Sequence, residues 1–66
     1  MTDQEIAAIE KRGANARAIG IAEIANPFYA TNYMPAVTGE ATEAWAQKAE
    51  AWHRGWVLED AVRNGG

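Results

Sequence analysis

A chain of 66 residues without cysteine has room for one small domain, and no disulfide or thiolate metal site to staple it. Its net charge of −3, with six Lys and Arg interspersed among acids, argues against direct nucleic-acid binding, because phosphate neutralisation supplies most of that affinity. No apolar run approaches the roughly 20 residues of a membrane span, and Met1-Thr-Asp-Gln-Glu5 lacks the basic start of a secretion signal. A soluble, cytoplasmic chain with a protein or ribonucleoprotein partner is therefore the expectation.

Abundant alanine and few β-branched residues favour helix throughout. Thr2-Asp-Gln-Glu5 is a capping-box pattern, and acidic Asp3 and Glu5 suit the positive end of a helix. It predicts a first helix over about residues 3–24. The stripe Ile6, Ile9, Gly13, Ala16, Gly20, Ile24 alternates spacings of three and four, as one helix face requires. Glycine inside a helix costs up to ~1 kcal/mol against alanine. Gly13 and Gly20 on one face are explained if a second helix approaches the backbone closely there.

Asn26-Pro27 is a helix stop, since proline disfavours helical backbone at the residue before it. The connector that follows carries Phe28, Tyr29, Tyr33 and Met34, with a short helical turn expected around 28–33. These side chains combine apolar area with polar tips, the composition of interaction hot spots. With Arg54 they are the candidate partner-binding residues. The competing reading is that they fold over the helix pair and complete its thin core.

Thr38 reads as the N-cap of a second helix over about 39–63, and Asn64-Gly-Gly66 as its stop. On that helix Ala41, Trp45, Ala49, Trp52 and Trp56 share one stripe. Each indole can bury roughly 150–250 Å², so this face dominates the burial energy. Ala44, Ala51, Gly55, Leu58 and Val62 form a second stripe beside it. An apolar arc this wide needs more than one neighbouring helix, so the connector folding back or another subunit should cover the remainder.

The pattern thus predicts a single all-α domain over 1–66, an antiparallel helical hairpin, with dimerisation into a four-helix arrangement as one way to cover the arc. Its expected core is Ile6, Ile9, Gly13, Ala16, Gly20, Ile24, Trp45, Ala49, Trp52, Gly55 and Trp56. The expected register sets Trp45 over Gly20, Trp52 over Gly13 and Ala16, and Trp56 near Ile9.

Catalytic sets are missing. The sequence has no Ser or Cys, its threonines lack an evident base, and His53 is the sole histidine. Glu40/Glu43 and Glu59-Asp60 offer too few converging oxygens for a cation. The expectation is a protein with no catalytic residue, cofactor or metal.

Three blocks remain: Arg12-Gly13-x-x-Ala16-x-x-x-Gly20, Asn26-Pro27-Phe28 and Trp52-x-x-Gly55-Trp56. Together they resemble the ribosome modulation factor family, a pattern shared by small bacterial, phage and plasmid proteins. The matching residues are Arg12, Gly13, Gly20, Pro27, Phe28, Trp52, Gly55 and Trp56. The resemblance implies a helix–linker–helix fold that binds the ribosome's small subunit to silence translation. This chain departs from that pattern in a longer connector and in its acidity, where ribosome-binding members are strongly basic. The alternative function is a small acidic inhibitor or adaptor, from a phage or other mobile element, acting on a host protein.

Overall fold

Thr2 opens the first helix, its hydroxyl accepting a hydrogen bond from the Glu5 amide at 3.1 Å. In the computed structural model, which describes residues 2–65, helix α1 spans Asp3–Ala18 and ends well short of residue 24. Gly20 is the reason. It adopts a left-handed conformation, φ +87°, and the Ile21 amide reaches back to the Ala16 carbonyl at 2.9 Å. The Gly20 amide bonds the Arg17 carbonyl at 3.1 Å, completing a Schellman closure. Gly20 is thus a helix stop, exposed, and not part of a packing furrow. Ile24, beyond the stop, is 87% exposed and leaves the expected core.

The connector consists of three single 3-10 turns, Glu23–Ala25, Pro27–Tyr29 and Thr31–Tyr33, then a one-turn helix α2, Pro35–Thr38. Gly39, φ +74°, closes α2. Thr38 serves this corner, its hydroxyl accepting from the Glu40 amide at 3.2 Å, so it is not the cap of the long helix. That helix, α3, spans Thr42–Arg63 and starts at Ala41 without a side-chain cap.

The two long helices pack against each other but run in the same direction, a correction to the antiparallel expectation. Glu10 meets Arg54 at 2.6 Å and Arg17 meets Asp60 at 2.7 Å, so residue numbers rise together along the pair. At 1.5 Å per residue an antiparallel pair crossing near Gly13 would hold Arg17 and Asp60 about 15 Å apart along the axis. Parallel helices require the chain to travel back between them. Residues 19–41 do so by descending α3: Ile21 lies at Trp56, Glu23 at His53, Asn26 at Ala49 and Phe28 at Trp45.

Consequently α3 divides its apolar arc between two neighbours. The stripe with Ala51 and Gly55 faces α1, and the tryptophan stripe faces the connector. Gly13 and Gly55 sit at the helix crossing. A Cβ on Gly13 would collide with the Trp52 carbonyl, and one on Gly55 with the Glu10 carbonyl. Backbone therefore meets backbone here, in place of an indole nested over glycine. The buried core comprises Ile9, Ala16, Phe28, Ala49, Ala51 and Trp52, with Ile6 and Trp56 packed against it.

Candidate protein-interaction surface

The connector is clipped to α3 by side chains. Asn26, 3% exposed, accepts from the Phe28 amide and donates to the Ala49 carbonyl, both at 3.0 Å. Both of its side-chain polar atoms have a partner, as burial demands. Trp45 Nε1 donates to the Phe28 carbonyl at 2.6 Å, and Trp56 Nε1 to the Ile21 carbonyl at 2.8 Å. The Arg17 guanidinium lies 5.7 Å from the centre of the Trp56 ring. So Trp45 and Trp56 are half-buried clips at the middle and the start of the connector, not partners of Gly20 and Ile9. Trp52 between them is 2% exposed and forms the floor.

Of the residues expected to meet a partner, Phe28 is buried, 8% exposed, with Tyr33 edge-on to its ring at 5.8 Å. Its side chain belongs to the core cover, a correction to its place among the contact residues. Tyr29 and Tyr33 are half-exposed, Tyr29 leaning edge-on against Trp45 at 5.9 Å, and Met34 is partly buried. Arg54 is tied to Glu10 on the helix seam, apart from the aromatic connector.

The sequence pattern did not bring out a second feature. Between α1 and the connector lies a cavity of about 380 Å³, open on one side. Ala16 and Trp52 form its floor, Ile19 and Ile21 its rim, and Arg12 with Asn15 its polar edge. Ile19 and Ile21 fall outside the helical stripe because α1 ends where they begin. Only their place on either side of Gly20, in a stop that turns the chain back, could have flagged them.

Charge is distributed unevenly. Arg17, Lys48, Arg54 and Arg63 each pair with an acid. Among the described residues Lys11 and Arg12 have no acidic partner, and both are exposed on α1. His53 Nδ1 lies 3.1 Å from Glu23, a contact between α3 and the connector. Among the described residues no three His, Cys, Asp or Glu converge on a metal-sized site, and no helix is long and apolar enough to cross a membrane. The arrangement leaves Ile19, Ile21, Tyr29 and Tyr33 partly or largely exposed beside the cavity and along the connector.

Comparison with protein-family models, with curated proteins and with solved structures found no match in any of the three.

Proposed function

We propose that this chain is a small, non-catalytic binding module of the cytoplasm that resembles the ribosome modulation factor family. It docks on a large assembly such as the ribosome and modulates translation without a cofactor. One observation carries the reading. The three sequence blocks behind the resemblance are separate in the chain, yet Arg12, Ala16, Pro27 and Trp52 from all three line one cavity. Gly13 and Gly55 from two of the blocks set the helix crossing beside it. Their meeting around one open cavity supports a binding role.

Co-sedimentation tests this. Tagged protein added to a bacterial lysate should travel with the small ribosomal subunit through a sucrose gradient. Its absence from every ribosomal fraction would remove the ribosomal target.

The acidic charge favours a second reading, a protein-binding inhibitor or adaptor. With four of the six basic side chains already paired, few cations remain for phosphates. Half-exposed Tyr29 and Tyr33 would serve a protein surface. Capture of one defined host protein, lost when Tyr33→Ala and Met34→Ala are combined at unchanged helicity, would select this reading over the first.

A further inference from the structure

The cavity between α1 and the connector has a composition that selects its occupant. Its floor, Ala16 and Trp52, is 7% and 2% exposed, so the apolar surface there is set back from solvent. Its volume, about 380 Å³, falls at the small end of the roughly 300–1,000 Å³ typical of ligand pockets. Because it is open on one side, it covers one face of a bulky side chain and leaves a main chain to run outside.

Ile19, 76% exposed, and Ile21, 38% exposed, stand at the rim and lengthen the apolar contact beyond the cavity mouth. No carboxylate lines this wall, although the chain as a whole is acidic. The polar edge is instead Arg12, without an acidic partner among the described residues, and Asn15 one turn further along. A guanidinium beside an apolar hollow fits a carboxylate adjoining a hydrophobic anchor, paired in two-pronged geometry. Stacked bases fit poorly, since the Trp52 ring is covered and Arg12 is the one cation lining the cavity.

We propose that this cavity is the docking site for an acidic peptide segment of a partner protein. The segment seats one bulky apolar side chain against Ile19 and Ile21 at the cavity mouth and places a neighbouring Asp or Glu on Arg12. This rests on the binding-module reading and not on the ribosome as its target.

Selection from a display library of random peptides tests it. On the wild-type chain the enriched sequences should carry Asp or Glu within two positions of Leu, Phe or Met. A synthetic peptide from that set should shift the amide signals of Asn15, Ile19 and Ile21, and the Trp52 indole signal, in a nitrogen–proton correlation spectrum. Arg12→Glu should weaken its binding by roughly tenfold or more, the effect of losing a charge pair at an interface. Selection repeated on Arg12→Glu should enrich Lys or Arg instead. Ile19→Ser should weaken both peptide classes. Both positions are exposed, and circular dichroism of each variant checks that it folds.

No enrichment, an acid-free consensus, or binding indifferent to Arg12→Glu and Ile19→Ser would overturn the assignment. So would movement of the same signals by a ribosomal RNA hairpin in place of the peptide, or their broadening with a doubling of native mass, which would mark a self-contact. A chain that selects acidic peptides but never travels with ribosomes keeps this site and loses the ribosomal target. One that co-sediments but selects no peptide does the reverse.

Discussion

The two contacts made by α3 are held in opposite ways. At the crossing with α1, packing depends on what is missing: Gly13 and Gly55 carry no side chain, and each backbone lies against the other. Along the connector, packing depends on polar handles: Asn26, Trp45 and Trp56 each donate to a backbone carbonyl across the interface. At the crossing an added methyl has no room, whereas along the connector three separate hydrogen bonds share the attachment. The first contact fixes how close the helices come; the second fixes the path of the chain between them.

Trp52→Ala should do the greatest damage, because that ring faces both contacts. Loss of a buried aromatic costs about 3–5 kcal/mol, enough to abolish a cooperative melting transition in a chain this small. Next comes Gly55→Ala. Its single methyl meets the Glu10 carbonyl, and overpacking of this kind costs about 1–3 kcal/mol, with backbone clashes at the upper end. The change is in packing and not in helix content, so thermal midpoint is the measurement; an unchanged midpoint would show that the helices do not touch as described.

Asn26→Ala should cost about 1–3 kcal/mol, since it leaves the Phe28 amide and Ala49 carbonyl without the side chain that joins them. Hydrogen exchange should then quicken at Phe28 and through the connector before it quickens at the crossing. Simultaneous loosening of both would mean that the two contacts are one cooperative unit. The smallest effect belongs to Gly20→Ala, about 1–2 kcal/mol for holding a Cβ in the left-handed region. A neutral result in chemical denaturation would argue against that conformation.

Much of this was legible in the sequence because its signals are local. Helix content, the Thr2 cap and the turn at Pro27 follow from neighbouring residues alone. Gly13 was legible as a close approach because an interior glycine on an apolar face needs a reason. Gly20 was misjudged because a glycine continuing the same stripe reads identically, whether it sits inside a helix or just past its end. The direction of the helix pair was hidden for a different reason: an apolar stripe carries no arrow. Connector length was the available clue, since residues 19–41 are enough to lead the chain back along α3. The indoles gave another, because Trp45 and Trp56 need acceptors for their N–H groups when partly buried, and a bare helix face offers none. The cavity could not be seen at all, since its floor and rim come from three elements whose meeting depends on that direction.

Everything rests on parallel helices with the connector laid back along the second. The absence of native cysteine allows paired labels to measure this without further change. Spin labels at Gln4→Cys with Gln47→Cys, and separately at Gln4→Cys with Val62→Cys, occupy exposed positions on the two helices. Pulsed electron resonance should find the first pair close, and the second farther apart by most of the ~22 Å that the helical rise puts between 47 and 62. The opposite order, with Gln4 near Val62, would mean an antiparallel hairpin, and would take the connector's path and the cavity with it.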